Sequence, residues 1–473
     1  MNKTTNLKQE QQSNIERPQT ILVDARNSPP KIALLHCYDL IDDFLDSINI
    51  SFETYCKEFV GSWMFGYIDA LKQVGIETVL FCISARVEQP SRFIHQPTGA
   101  TICVLPPLKI YHAYRAVRSK SLSVYGGSDA PSFTNIQDKN RLRRSLLANI
   151  KDVAKSVGTY LSTPLGLLAS ELQRENCQAI LCQEYEYARF DACVLMGRSL
   201  GLPVFATFQG GTKTESFLEV PLRYLSFRLC TGVIIATQTE VQRVQTRYQV
   251  PSHKIARIFN PLDVATWQTS DRAQARAALN IPLTAKVVAW HGRVEIERKG
   301  LDILLAAWQQ ICRDRPDEDL RLLLVGTGSD AELLRQYISD KQLKGVQWLN
   351  EFVSDRRIIG QYLSAADVYT LPSRQEGFPV APLEAMACSL PVVAADAPGI
   401  PDILDGGEAA GGIVVPRNNV LALASALGRV LDDPAWSQQL GTRSRDRVLS
   451  SFSLEAIGKQ LGNVLLSSSY RNN

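Results

Sequence analysis

Short apolar runs punctuate the first half of the chain at 31–37, 78–83, 179–182, 203–207 and 233–236, and each is β-branched or Leu-rich. Runs that do not alternate with polar residues suit strands buried on both faces of a parallel sheet. Helical periodicity fills the gaps at 63–74, 141–175 and 191–200, each segment ending near Gly or Pro. The alternation predicts a doubly wound α/β lobe. The pattern then restarts, with strands expected at 286–291, 320–325, 346–349, 368–371, 391–395 and 413–415. Helices are expected between them at 301–313, 331–341, 357–365, 382–389 and 420–432. A second α/β lobe is therefore predicted.

The expected organisation is a disordered tail over 1–29, a Rossmann-like N-terminal domain over 30–265, a Rossmann-like C-terminal domain over 266–452, and a helix and tail over 453–473 able to pack back on the first lobe. Residues 262–284, with Pro282 and a short Ala-rich helix, read as the linker. Ligands of open parallel sheets bind outside the strands' carboxyl ends. If the two sets of ends oppose one another, the active site is the interdomain cleft.

Composition narrows the partners. The 473 residues carry 51 Lys and Arg against 48 Asp and Glu, a formal net charge of +3, and 45% are hydrophobic. That balance argues for an ordinary globular protein and against a general nucleic-acid binder, which needs a basic excess. The ten cysteines are scattered with no Cys-x-x-Cys pair, and Cys177 and Cys182 lack the companions of a zinc site. Buried free thiols in a reducing compartment, and no metal, are expected. The opening residues are polar, and no apolar stretch is long enough to cross a bilayer. The expectation is a cytoplasmic protein.

The most informative stretch, 371–387, runs from a strand end through a loop into a helix. Glu376 falls in the loop and Glu384 in the helix's first turn, where the dipole favours negative charge. Two carboxylates entering one pocket from different directions can each accept hydroxyl hydrogen bonds from a polyol. The N–H groups of Gly377, Phe378 and Val380 can meet an anion there, whereas Pro379 has no donor. A solvated loop acid and a dipole-complementing helix starter give the same pattern. Upstream, Gly292-Arg293 and Lys299 border a loop at a strand's carboxyl end. They can grip a diphosphate from two sides and stabilise charge developing on it; a solvated basic loop is the alternative. The turn Gly326-Thr327-Gly328 follows a buried strand but has no third Gly in dinucleotide register.

In this order, these elements resemble the retaining glycosyltransferases of family 4, which have the GT-B fold. The resemblance is best from Ala289 to Val415 and includes 366–373 with Ser373, the Glu-x7-Glu block and 389–393. It implies a nucleotide diphosphate sugar as co-substrate, no other cofactor and no metal. Glu384 would hold ribose hydroxyls, Glu376 would touch the transferred sugar with the Gly377 and Phe378 backbone, and Arg293 and Lys299 would clamp the leaving diphosphate. Gly292, Gly326, Thr327, Gly328, Ser373, Pro379 and Val380 would complete the donor site, with 350–353 near the base. The first lobe, which would bind a glycan or lipid-linked acceptor, departs from the family twice. A long polar and aromatic insertion, 39–58, replaces the Gly-Gly loop. Gln209 stands where the family often has histidine, with Glu184 and Glu186 able to take over part of its role.

The basic residues of 141–151, with Arg115, Arg118 and Lys120, suit an anionic lipid surface, a phosphorylated acceptor or a solvated helix face. Peripheral contact at the inner face of a membrane is thus an option. The expected activity is transfer of a hexose with retained configuration. Alternatives are a sugar-nucleotide 2-epimerase on the same fold and a non-catalytic nucleotide-sugar-binding subunit.

Overall fold

A computed structural model of the chain describes residues 29–48, 50–60, 63–111, 114–115, 157–208, 219–267, 270–353 and 355–467. The basic stretch 141–151, Arg118, Lys120 and Gln209 lie outside them. The first lobe is built on strands β1 (Lys31–Leu35), β2 (Glu77–Ile83), β3 (Ser91–Ile94), β4 (Thr101–Leu105), β5 (Ala179–Cys182), β6 (Val204–Phe208), β7 (Gly232–Ile235) and β8 (Ile255–Ala256). Their order is β3-β4-β2-β1-β5-β6-β7-β8, parallel except where β3 runs against β4. Strands β3, β4 and β8 add to the predicted set. Edge strand β3 faces solvent along most of its length, so no buried run announces it. The insertion forms two short helices, Ile41–Ser47 and Phe52–Lys57.

The second lobe has an all-parallel sheet of β9 (Lys286–His291), β10 (Leu320–Val325), β11 (Val346–Leu349), β12 (Val368–Leu371), β13 (Val392–Ala395) and β14 (Gly412–Val415). Its order, β11-β10-β9-β12-β13-β14, reverses direction between β9 and β12. That reversal opens a crevice at the carboxyl ends of these two strands. The first sheet makes the same reversal between β1 and β5.

The expected linker is not a free tether. Trp267, Ala275 and Ile281 belong to the second lobe's core. Arg276, which is 1% exposed, donates to the carbonyls of Ala365 (3.0 Å) and Leu283 (2.6 Å) and to Asp367 (2.9 Å). An arginine can be buried here because each nitrogen finds an oxygen.

The two sets of carboxyl ends approach one another. Asp402, beyond β13, accepts from the Gln238 N–H beyond β7 (3.0 Å) and pairs with Arg257. The chain crosses between lobes again after helix Pro434–Ser451, where Leu262 N–H donates to the Phe452 carbonyl (2.7 Å) and Leu262 bridges to Ser453. Ser453 then caps helix Leu454–Leu466, which sets Ile457, Leu461 and Leu465 into the first lobe's core beside helix Trp63–Gln73. Among the described residues no helix is long and apolar enough to cross a membrane, all ten cysteines are free, and no group of His, Cys, Asp and Glu is arranged to hold a metal ion.

Helix Leu454–Leu466 docks so closely that a Cβ at Gly458 would lie 2.1 Å from the Ala70 carbonyl oxygen. Gly458→Leu is expected to lever the helix off and destabilise the protein by about 1–3 kcal/mol, as overpacking does. An unchanged urea midpoint would show that this contact carries no stability.

Candidate active site

The second lobe's crevice is assembled by backbone contact. Gly326 N–H donates to the Leu349 carbonyl and Gly292 N–H to Val325, both at 3.0 Å, continuing the sheet past its strands. At φ +129°, Gly326 lies so close to the Gly292 carbonyl that a Cβ would sit 2.0 Å from its oxygen. Gly328 meets Val294 in the same way, and Val294 N–H donates to the Thr327 carbonyl (3.0 Å). The glycines of this turn thus let two loops interlock. Asp330 closes the clasp by accepting from Ile296 N–H (2.8 Å).

A second clasp holds the Glu376 loop. Gly300, at φ +64°, joins short helix Ile296–Lys299 to helix Leu301–Asp314, and a Cβ there would lie 2.1 Å from the Pro372 carbonyl oxygen. Arg374 N–H donates to the Arg298 carbonyl (3.0 Å), while its guanidinium forks onto Asp302 at 2.8 and 2.7 Å. Burial pushes the Asp302 carboxyl up, but the Arg374 bonds outweigh it and hold the group below its ordinary value. The loop is thereby pinned with Lys299 Nζ 2.8 Å from Glu376 Oε1, the Glu376 side chain being only 5% exposed.

Glu384 comes from the first turn of helix Ala381–Ala387, and its N–H donates to the Val380 carbonyl (3.1 Å). Its Oε2 lies 2.7 Å from Nε2 of His291, the last residue of β9. Tyr369 of β12 donates its hydroxyl to the His291 carbonyl (3.3 Å). Burial first, then the negative charges of Glu384 and Glu376, raise the Tyr369 phenol well above its ordinary value and keep it a donor. Both carboxylates therefore lie near enough to Tyr369 of β12 for their charges to act on its phenol.

Other predicted residues stand differently. Arg293 lies on the rim, its side chain 72% exposed and 3.4 Å from Glu295. Ser373 is fully buried. The Phe378 ring is buried, stacked on Phe259 (centroids 5.3 Å apart) with Phe452 tilted beside it. A Cβ on Gly399 would lie 2.6 Å from the Gly377 carbonyl oxygen and 3.3 Å from Pro379, so the 377–379 turn rests on the 399 turn.

In the first lobe, Glu184 and Glu186 are buried beyond the end of β5. Arg243 reaches Glu186 (3.0 Å), the Tyr185 hydroxyl (2.9 Å) and Glu240. Gln183 accepts the Cys37 N–H (2.9 Å), tying the loops after β5 and β1. Burial first, and then Glu184, push the Cys37 thiol up to about 12. Burial and the Arg189 charge lower His36 to about 3, which keeps it neutral. Arg115 forks onto Asp43 at 3.0 and 2.8 Å, which removes it from the expected basic face.

Residues 285–433 match the family described as Glycosyl transferases group 1, so the second lobe carries that domain. Among curated proteins, the GDP-mannose-dependent monoacylated alpha-(1-6)-phosphatidylinositol monomannoside mannosyltransferase of Corynebacterium glutamicum is 33% identical over 204 residues, 42% of this chain and 51% of that protein. The chain spans about half the length of the curated relatives it matches. Among solved structures, Anabaena Alr3699/HepE in complex with UDP superposes with a TM-score of 0.62 at 16% identity, over 92% of this chain and 100% of the other. Sucrose-phosphate synthase from Thermosynechococcus elongatus gives 0.58 at 21%, over 92% and 98%. The fold is GT-B, two parallel-sheet α/β lobes across a cleft.

Gly300→Ala tests the second clasp. A positive φ and a backbone clash together are expected to cost about 1–3 kcal/mol and to speed hydrogen exchange at the Gln375 and Glu376 amides. Wild-type stability with unchanged exchange would mean that the loop is held elsewhere.

Proposed function

We propose that the protein is a glycosyltransferase that moves a hexose from a nucleotide diphosphate sugar to a hydroxyl of a glycan or lipid-linked acceptor, with retained anomeric configuration. The observation that carries this reading is the pairing of Lys299 with Glu376 and of His291 with Glu384 at the end of β9 and on the loops and helices that follow β9 and β12, the strands flanking the switch point of the second sheet. The match of that lobe to Glycosyl transferases group 1 supports it.

In this reading Glu384 accepts the ribose hydroxyls and Glu376 the hydroxyls of the sugar. The incoming diphosphate draws Lys299 from Glu376, and Arg293 swings in from the rim to close on its other side. The negative charge that forms as the anomeric C–O bond breaks is stabilised by these two cations. The departing phosphate oxygen takes the acceptor's proton as the acceptor oxygen bonds the same face, so configuration is kept. No covalent enzyme intermediate and no metal are required. The acceptor sits toward Glu184, Glu186 and Gln209, and lobe closure excludes water. The basic residues of 141–151 suit a phosphorylated or membrane-borne acceptor.

The relatives differ in donor. The mannosyltransferase is described as GDP-mannose-dependent, and Alr3699/HepE was solved with UDP. A thermal-shift panel of UDP-, GDP- and ADP-sugars in EDTA tests the site. A donor at a hundred times its Kd is expected to add about 2.7 kcal/mol, and Arg293→Ala to lose most of it. No shift with any donor at millimolar concentration would overturn the reading. Glu384→Ala is expected to weaken nucleotide binding, whereas Glu376→Ala lowers kcat with donor affinity retained. Wild-type behaviour in both would refute the residue roles.

A further inference from the structure

We infer that His291 is a positioning residue that sets Glu384 for a ribose diol without neutralising its charge; this rests on the reading of Glu384 as the ribose-binding carboxylate. His291 ends β9 immediately before Gly292 and is 7% exposed. Its ring is held 5.3 Å from that of Tyr369, and its carbonyl by the Tyr369 hydroxyl. The imidazole therefore has little room to rotate.

Its two nitrogens stand differently. Nε2 lies 2.7 Å from Glu384 Oε2, whereas Nδ1 is buried with no hydrogen-bond partner. An ionised carboxylate only accepts, so the proton of this bond sits on Nε2. An imidazolium would gain attraction to Glu384 but would bury a second N–H with nothing to receive it, and we take the second effect as the larger. The geometry thus selects the neutral ring protonated on Nε2.

A neutral donor has a consequence that a cation would not. Lys299 on Glu376 forms an ion pair that a ligand must break, whereas His291 fixes the Glu384 rotamer and leaves its full charge in place. The Glu384 side chain is 19% exposed, and among the described residues His291 is its one side-chain hydrogen-bond partner. Its second oxygen is thereby presented to the crevice at a fixed angle. A vicinal diol, unlike a single hydroxyl, can meet both oxygens of such a carboxylate. His291 would therefore act through Glu384 on the choice between ribonucleotide and deoxyribonucleotide.

The test uses the full-length chain, wild type, His291→Phe and His291→Gln, with UDP and GDP, their 2′-deoxy and 3′-deoxy counterparts, and inorganic pyrophosphate, by calorimetry. Phe keeps an aromatic ring without a donor, while the Gln amide can donate from nearly the Nε2 position. Wild type is expected to prefer the ribonucleotide. His291→Phe is expected to lose about tenfold in ribonucleotide affinity, the scale of one hydrogen bond to a charged group, together with most of that preference. His291→Gln is expected to stay within about threefold, and pyrophosphate binding should not change. A His291→Phe protein that keeps the wild-type preference overturns the inference and leaves the donor site standing. A wild type that binds neither nucleotide overturns both. Should His291→Phe not fold, nitrogen NMR of histidine-labelled wild type, assigned with His291→Gln, decides: Nε2–H with a bare Nδ1 at neutral pH supports the inference, and an Nδ1–H tautomer or an imidazolium overturns it.

Discussion

The second lobe's crevice depends on how closely two turns of main chain can approach. Gly326 against the Gly292 carbonyl and Gly300 against the Pro372 carbonyl are contacts no Cβ permits. Because the loops touch through backbone, the side chains that follow have no slack. Lys299, one residue before Gly300, meets Glu376 four residues after Pro372, and His291, one residue before Gly292, meets Glu384. The chemistry of the site thus inherits its geometry from steric exclusion more than from any one strong bond.

The two carboxylates are then given opposite electrostatic settings. Glu376 is nearly sealed from solvent and matched by an ammonium, the arrangement that makes a buried charge tolerable. Glu384 is more open and matched by an imidazole. One acid is masked until something more negative arrives, while the other stands ready. Under the proposed function, this ordering would let phosphate recognition precede engagement of the sugar.

Much of the second lobe could be read from residue order because its inner strands are buried and show as largely apolar runs; β9, β10 and β12 lie where those runs do, and the half-buried edge strand β11 also falls at its expected place. Sequence also pointed to Lys299, Glu376 and Glu384 as a set. His291 was hidden inside the strand run, where a lone histidine is indistinguishable from core packing, although its place directly before Gly292-Arg293 was a usable signal. Arg374 and Asp302 are illegible for a similar reason: they stand 72 positions apart, and nothing local marks a fork across such a gap. Phe378 carries its own lesson, since a loop can hold a site residue while its largest side chain serves another contact. Strands β3 and β8 are too short or too exposed to leave a period.

The chain passes between the lobes twice, and the two crossings are bonded side by side at Leu262, Phe452 and Ser453. A single tether would allow one lobe to swivel, slide and nod over the other. Two joined tethers act as a door's pintles, leaving one easy rotation and resisting twist. The rings of Phe259, Phe378 and Phe452 sit at that pivot, and Phe378 belongs to the loop that carries Glu376. Were the lobes to swing, the foot of that loop would turn with them, and the angle of the door would be felt at the carboxylate.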